Sequence, residues 1–236
     1  MNTTYAIFKR EFKGYFSSPI AYIYLTSFIV LINWLYLRGF FLINQANLRS
    51  LFSILPCIFL LFVPAVTMRL WAEERKLRTL EILMTLPVKD VEVVLGKFFA
   101  SYAFLALSIL LTFPLPLTLA LLGNPDGGQI IGGYLGALLI GGAYLAIGLF
   151  ASSLTENQII AFIIGILLSF TLFIVGEQLF LFALPSFMVP FFEYLGLGSH
   201  FDSIGRGVID TRDLIYYLSV IGFFLYLNIR SIEMKR

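Results

Sequence analysis

The residues that could support chemistry in this sequence are few. Its single histidine, His200, follows Gly198 and Ser199, but adjacent side chains point apart, whereas a serine nucleophile needs hydrogen-bond contact with its base. One histidine cannot form a histidine metal cluster, and no H-E-x-x-H motif occurs. The only Gly-Lys pair, Gly96-Lys97, precedes a phenylalanine, so the phosphate loop G-x-x-x-x-G-K-[ST] is absent. We therefore expect no catalytic residue, no metal site and no directly bound cofactor.

The composition is that of a membrane protein. Hydrophobic residues make up 59% of the 236 residues and charged residues 13%, whereas a soluble domain carries roughly 25% charged residues. Apolar blocks recur along the whole chain, so we expect one transmembrane domain over residues 1–236. The net charge of +2 is too weak to indicate a polyanion, and we expect membrane lipids and no nucleic acid among the partners. The single cysteine, Cys57, excludes an intrachain disulfide.

Six stretches are long and apolar enough to form transmembrane helices, which need about 20 mainly apolar residues each. An all-α fold follows, because a helix satisfies its own backbone groups in lipid. The predicted spans are Ile20–Leu37, Leu51–Leu70, Phe98–Leu122, Ile130–Phe150, Ile159–Leu181 and Leu214–Ile229.

Lysine and arginine in short loops indicate which loops face the cytoplasm. With six spans and a cytoplasmic N-terminus, twelve basic residues lie inside and four outside. The inner set is Lys9, Arg10, Lys13, Arg69, Arg75, Lys76, Arg78, Lys89, Lys97, Arg230, Lys235 and Arg236; the outer set is Arg38, Arg49, Arg206 and Arg212. No A-x-A-like cleavage site follows the first basic residues, so we expect the first span to be retained. We predict a multi-pass protein of the plasma (cytoplasmic) membrane with both termini in the cytoplasm.

The fourth predicted span is rich in glycine. Small residues four apart, such as Gly132 and Gly136, allow close approach of helices in lipid. Packing within the chain and contact between two copies both satisfy this pattern. In the third span, Pro114 and Pro116 each remove a backbone donor and are expected to bend the helix.

Residues 1–18 are predicted to form an amphipathic helix. Aromatic residues fall on one face and basic residues largely on the other, a pattern typical of a helix in the membrane interface. The residues on which this prediction rests are Phe8, Lys9, Arg10, Phe12 and Lys13.

A charged loop, residues 71–94, follows the second span. Opposite charges are spaced i,i+4, as in Glu74 and Arg78, and leucines share one face, so the first part predicts a helix that Pro87 ends. A short helix with a charged side and an apolar ridge suits docking into a groove of another protein. An interfacial loop helix without a partner is the alternative.

The stretch 182–213 is too apolar for a free loop and too broken for a span. We expect short helices that enter the outer leaflet and pack against the other segments. Just before it, Glu177 is the one carboxylate well inside a predicted span. Burying an ionised group there costs at least ~2.5–3.5 kcal/mol, so functional and structural roles for Glu177 both stay open.

Several short motifs together resemble a known family. They are Glu73-Glu74-Arg75-Lys76, Thr79-Leu80-Glu81-Ile82-Leu83, Leu86-Pro87-Val88, Gly96-Lys97-Phe98, Phe201 and Arg206-Gly207-Val208-Ile209-Asp210. With the order of spans, they resemble the ABC-transporter permeases of the type-2 exporter class. The likeness is strongest to the branch associated with gliding motility and with maturation of nitrous-oxide reductase.

The resemblance implies a role for each of these segments and for partner subunits. Residues 1–18 would be a connecting helix, the charged loop would hold a coupling helix that seats in a separate cytoplasmic ATP-binding subunit, and 182–213 would close the outer end of the pathway. ATP and Mg²⁺ would be bound by that partner, and a second permease half, identical or related, would complete the membrane part. The implied coupling residues are Glu73, Glu74, Arg75, Lys76, Leu77, Arg78, Leu80, Glu81, Leu83 and Met84. The implied pathway or gate residues are Glu177, Phe187, Phe191 and Phe192.

Two other functions stay open at this point. An ion-coupled secondary carrier would use Glu177 as its membrane-embedded acid. A non-transporting scaffold would use the charged loop to anchor a complex. A docking segment in a chain that lacks a phosphate loop favours the permease of an ATP-driven exporter.

Overall fold

The computed structural model describes residues 3–43, 48–81, 88–123 and 126–234, with the backbone alone for residues 39–43. These residues are almost entirely helical, which confirms the predicted all-α class for this part of the chain. In chain order the helices are α1 (Thr3–Phe16), α2 (Pro19–Ile43), α3 (Arg49–Thr67), α4 (Arg69–Lys76), α5 (Asp90–Leu110), α6 (Pro114–Leu122), α7 (Gly127–Leu154), α8 (Gln158–Ile174), α9 (Gln178–Leu181), α10 (Val189–Leu195), α11 (Leu197–Gly205) and α12 (Thr211–Glu233).

Five helical stretches of the described chain are long and apolar enough to cross a bilayer. They are Pro19–Arg38, Arg49–Lys76, Asp90–Leu122, Gly127–Leu154 and Thr211–Glu233. The remaining predicted span, Ile159–Leu181, corresponds to α8, which is a shorter apolar helix of 17 residues. The backbone leaves the helix after Ile174, and α9 adds only four residues. The count of six spans therefore stays a prediction.

Helix α7 is the centre of the bundle. Its apolar segment is the most buried of the five, and it packs on α3, α5, α8 and α12. Glycine permits this packing: a Cβ atom on Gly133 would overlap the Phe52 ring, and one on Gly148 would overlap the Thr67 side chain. The glycines of the fourth predicted span thus pack within the chain.

The two ends of α7 define the two ends of the bundle. Near its start, Gly132 lies against Gly207, which follows α11. Near its other end, Ser152 binds the backbone of α4. We call these the α11 end and the α1 end, since α1 meets α4 at the latter.

Helix α4 continues α3 after the single residue Met68, which keeps near-helical backbone angles of φ −54° and ψ −31°. The backbone N–H groups of Trp71 and Ala72 donate to Ser152 Oγ at 3.1 and 3.2 Å. Ser152 in turn donates to the carbonyl of Met68 at 2.9 Å. Because Ser152 satisfies the backbone groups at this joint, the second span extends directly into the charged loop.

The predicted helix across the charged loop is interrupted. Helix α4 ends at Lys76, and Arg78 has a φ of +55°, a left-handed conformation that a non-glycine residue rarely adopts and that cannot continue an α-helix. The expected i,i+4 pair between Glu74 and Arg78 is therefore wrong: the Glu74 carboxylate binds Lys97 instead. The other residues of this prediction, Leu83, Met84 and Pro87, lie outside the described residues.

Helix α5 begins eight residues earlier than the predicted third span. Asp90 and Glu92 occupy its first turn, where carboxylates interact favourably with the helix dipole, and Glu92 accepts the backbone N–H of Lys89 at 3.3 Å. The helix turns at residues 111–113. Pro114 then starts α6 at a position that needs no backbone donor, in line with the predicted bend.

The stretch 182–213 contains α10 and α11. Helix α11 buries Phe201 and Ile204, both of which lie next to Gly136 of α7. Helix α10 buries none of its residues in this chain. Only the second of the two short helices is therefore part of the bundle core.

Candidate functional site

A buried ion cluster at the α1 end is centred on Lys97 of α5. The Lys97 side chain is 1% exposed. Its Nζ donates to Glu74 Oε1 at 2.7 Å, to Glu11 Oε1 at 3.1 Å and to the Leu70 carbonyl at 3.0 Å. A lysine ammonium has three donors, so each has an acceptor. A buried charge is tolerated when it is paired and hydrogen-bonded, and Lys97 meets both conditions.

Arg10 completes the cluster from α1. Its Nη2 donates to Glu11 Oε1 at 2.7 Å and to Glu74 Oε1 at 3.4 Å. Burial opposes ionisation of Glu11, but the charge of Lys97 and the hydrogen bond from Arg10 outweigh burial and lower the pKa of Glu11. The same hydrogen bond raises the pKa of Arg10. Glu11 and Arg10 are therefore ionised at neutral pH, and the cluster joins α1, α4 and α5 through full charges.

A second set of contacts holds α1 on α5. The helices meet at Gly96, where a Cβ atom would lie 2.7 Å from Ile7 Cγ2. Further along, the Tyr15 hydroxyl and Ser101 Oγ are hydrogen-bonded at 2.9 Å, and burial raises the pKa of Tyr15 to about 12. Ile7, Glu11 and Tyr15 are spaced four apart and share one face of α1. This face lies beside the predicted aromatic stripe and anchors α1 to the bundle.

A cavity of 560 Å³, which we call the α1 cavity, opens beside the cluster. Its walls come from α1, the start of α2, the α3–α4 joint and the start of α8. The guanidinium carbon of Arg69 lies 4.7 Å from the centroid of the Tyr15 ring at this site. The charged residues that line the cavity are Arg10, Arg69, Lys97, Glu11, Glu73 and Glu74.

The predicted coupling residues separate into buried and exposed groups. Half-buried are Glu74, Arg75 and Leu80; exposed are Glu73, Lys76, Leu77, Arg78 and Glu81. A second hollow of 330 Å³ is lined by Arg75, Arg78, Leu80, Glu81, Leu154 and Glu156. The structure thus gathers most of the predicted residues at the α1 end, while Leu83 and Met84 lie outside the described residues.

The predicted connecting-helix residues differ in their burial and in their contacts. Phe8 and Phe12 are half-buried and stack with their ring centroids 5.7 Å apart. Lys9 and Lys13 are exposed. Arg10, by contrast, belongs to the ion cluster, so the basic face of α1 is not uniform.

The four predicted pathway or gate residues lie within or just before α9 and α10. Glu177 precedes α9, and its Oε1 lies 2.8 Å from where a Cβ atom on Gly198 would be. Phe191 and Phe192 contact each other with ring centroids 5.4 Å apart. Phe187 is 81% exposed. The acid therefore faces α11, and Phe192 contacts Phe180 of α9, the helix that Glu177 precedes, with ring centroids 6.0 Å apart.

His200 forms a structural cluster at the α11 end. Its Nδ1 lies 2.7 Å from Asp213 Oδ1 and its Nε2 lies 2.9 Å from the Tyr194 carbonyl. Ser203 Oγ donates to the other oxygen of the Asp213 carboxylate. Ser199 donates instead to the backbone carbonyl of Glu193. No serine reaches a ring nitrogen of His200 in the described chain, and the contacts of the cluster join α10, α11 and α12.

Comparison with known proteins identifies the family. The ABC-2 family of transporter proteins matches residues 35–227, which is most of the chain and includes α3 to α11. The chain belongs to the ABC-2 family. It is therefore a membrane component of an ABC transporter, and this family is not itself catalytic. A search of curated proteins found no match.

The ABC-2 match begins within α2, so α1 and Glu11 stand outside it. Sequence reasoning missed both Glu11 and Lys97 as site residues of this ABC-2 permease. The available signals were a lone acid four residues from Ile7 and from Tyr15, and a lysine at the edge of an apolar run. Neither signal identifies the residue that Glu11 or Lys97 binds, because these two residues are 86 positions apart in the sequence.

Proposed function

We propose that this chain is the permease subunit of an ATP-driven exporter, whose ATP is bound with Mg²⁺ and hydrolysed by separate cytoplasmic subunits. The observation that carries the proposal is the Lys97 cluster. It joins α1 and α4, which belong to the two segments that the resemblance assigns to ATPase contact, to the membrane-spanning helix α5. On the motifs given above, we place the chain in the gliding-motility and nitrous-oxide-reductase-maturation branch.

The cluster gives a physical route for coupling. Separating α4 from α5 would leave Lys97 or Glu74 buried without its partner, which is strongly unfavourable. Motion applied to the charged loop would therefore move α1, α4 and α5 together as a rigid body. The one-residue joint at Met68 passes the same motion into α3.

The surface offered to the ATPase lies just beyond the cluster. Leu77 is 63% exposed, and Lys76 and Arg78 flank it. An apolar side chain between charged neighbours suits an interface whose anchor enters a pocket while its rim stays polar. The proposed coupling role also includes Leu83 and Met84, which lie outside the described residues.

The assembly we propose has two permease halves, identical or related, and two ATPase subunits. In this arrangement α8 crosses the membrane as a sixth span, and both termini lie in the cytoplasm. A 17-residue helix reaches the lower end of the range that spans a bilayer.

Leu77→Asp tests the coupling surface. The variant should lose co-purification with the ATPase encoded beside it, and stimulated hydrolysis should fall about tenfold, the effect of losing a ~1.4 kcal/mol contact. Val208→Asp is the matched control, because Val208 is 62% exposed at the α11 end. It should keep both properties.

Three outcomes would count against this proposal. Undiminished ATPase binding and hydrolysis in Leu77→Asp would reject the coupling surface. Transport that runs on an ion gradient without ATP and is lost in Glu177→Gln would support the secondary carrier. ATPase binding without any substrate-stimulated hydrolysis in the unmodified chain would support the scaffold.

A further inference from the structure

The α1 cavity is lined in part by the Lys97 cluster and by Leu77 of the coupling surface, and we propose that it binds the headgroup of a zwitterionic membrane phospholipid, with phosphoethanolamine as the fitting chemistry. The inference does not depend on an ATPase partner. It rests on the two charges of the cavity outside the ion cluster, on its depth in the membrane and on its apolar exit.

The cavity lining holds three cations and three carboxylates. Four of these six groups, Arg10, Lys97, Glu11 and Glu74, bind one another. Arg69 and Glu73 form no ion pair within 4.0 Å in the described chain, although they are four residues apart on α4. Arg69 lies over the Tyr15 ring instead. Outside the ion cluster, the cavity therefore presents one cation that contacts an aromatic ring, Arg69, and one exposed carboxylate, Glu73.

These two groups select for a ligand that carries both charges. Glu73 would repel a simple anion, and Arg69 would repel a simple cation. A headgroup with a phosphate and an ammonium satisfies both, because arginine forms charge-assisted hydrogen bonds with phosphate and a carboxylate accepts from an ammonium.

The position of the cavity favours a lipid over a soluble ligand. Helix α1 is amphipathic and carries an aromatic stripe, which places it in the membrane interface at headgroup depth. Ile20 lines the cavity and is 59% exposed, and Ile23 continues the exposed apolar surface of α2. A headgroup in the cavity can thus leave its acyl chains on a lipid-facing wall.

Lipid retention by the full-length protein tests this assignment. The protein is reconstituted in nanodiscs of equal parts phosphatidylethanolamine and phosphatidylglycerol, and the lipids retained after release are counted by native mass spectrometry. We expect phosphatidylethanolamine to be retained preferentially. Arg69→Gln and Glu73→Gln should each reduce this retention about tenfold or more, as for a lost charge-assisted hydrogen bond.

A second variant blocks the cavity without touching a charge. Gly14 lines the cavity, and a Cβ atom there would meet nothing within 4 Å, so Gly14→Leu should fill the space and abolish retention while α1 stays folded. The controls are Lys76→Gln, an exposed charge on α4 that does not line the cavity, and Gly222→Leu, which adds the same bulk in open space on α12. Both should retain the lipid as the unmodified chain does.

Four results would overturn the proposal. Preferential retention of phosphatidylglycerol would indicate an anion site, and equal retention of both lipids would indicate no headgroup recognition. Retention that survives Arg69→Gln, Glu73→Gln and Gly14→Leu would place the lipid elsewhere. Binding of free phosphoethanolamine by the protein without retention of phosphatidylethanolamine would indicate a soluble ligand.

Discussion

Lys97 is shared by two carboxylates that come from different helices. A cation placed between Glu11 of α1 and Glu74 of α4 fixes both helices relative to α5. The Trp71 ring, whose centroid lies 4.9 Å from Lys97 Nζ, adds a cation–π contact. At the scale of single residues, one ammonium group therefore links α1, α4 and α5 at the α1 end.

Lys97→Met should destabilise the protein. Methionine keeps an unbranched chain but leaves Glu11 and Glu74 facing each other without their shared cation, and loss of one partner of a buried ion pair costs about 3–5 kcal/mol. The melting temperature in detergent should fall, whereas Lys9→Met, at an exposed position on α1, should change it little.

Neutralising all three groups separates charge from packing. The combined variant Lys97→Met, Glu11→Gln and Glu74→Gln should recover much of the stability, because no unpaired charge remains buried. A melting temperature that is unchanged in Lys97→Met alone would show that the ion cluster does not hold the helices together.

Glu11 should make stability depend on pH. Its folded-state pKa lies below the ordinary value of 4.5, so its ionised form contributes stability that is fully present above that value and is lost as pH falls through the lowered pKa. Unfolding followed from about pH 6 down to about pH 3 should show this loss. The loss should be smaller in Glu11→Gln, and an identical profile in that variant would assign the effect to another carboxylate.

At the scale of elements, the seating of α1 on α5 requires a small residue at Gly96. Gly96→Leu should push α1 away, because even its Cβ would lie 2.7 Å from Ile7 and 3.1 Å from the Thr4 carbonyl. Overpacking of this kind costs about 1–3 kcal/mol. Trypsin should then cleave faster after Lys9 and Lys13 in proteoliposomes.

Gly14→Ala is the control for this test, since a Cβ atom there meets nothing within 4 Å. It should leave cleavage unchanged or slow it, because alanine favours the helix by about 0.5–1 kcal/mol over glycine. If trypsin cleaved Gly96→Leu no faster than the unmodified chain, α1 would not be held by this contact.

Sequence patterns predicted the helices well and their ends less well. Long apolar runs in lipid leave the helix as the natural state, so the all-α class followed directly. Helix α4, however, ends at Lys76, two residues before Arg78 takes a left-handed conformation, and α8 ends at Ile174, just before Gly176, Glu177 and Gln178 interrupt the apolar run. Apolar periodicity reports which face of a helix is buried, and it does not report a left-handed residue such as Arg78.

The candidate site was likewise predicted from the sequence only in part. Residue type and spacing located the charged loop and the amphipathic helix, both of which reach the α1 end. They also suggested a pair between Glu74 and Arg78, where the structure pairs Glu74 with Lys97. A buried partner 23 positions away is fixed by helix packing, so no local pattern could identify it.

At the scale of the whole molecule, the prediction to test is the membrane topology, in which α8 is a sixth span. In a Cys57→Ser background, single cysteines at Glu156, Asp210 and Glu233 lie before α8, before α12 and at the end of α12. If α8 spans the membrane, a membrane-impermeant thiol reagent should label Asp210→Cys from outside the cell and the other two only from inside. Labelling of positions 156 and 210 from the same side would show that α8 does not cross.

The central position of α7 restricts how two copies can associate. Its glycines Gly132, Gly133, Gly136, Gly141, Gly142 and Gly148 contact other parts of the same chain, among them Phe52, Leu105 and Thr67, so these positions present no small-residue surface to a neighbour. A second permease half must then meet helices that keep broad apolar faces outward, such as α2, α8 or α12. Disulfide trapping between copies should accordingly succeed from those helices and fail from the glycine positions of α7.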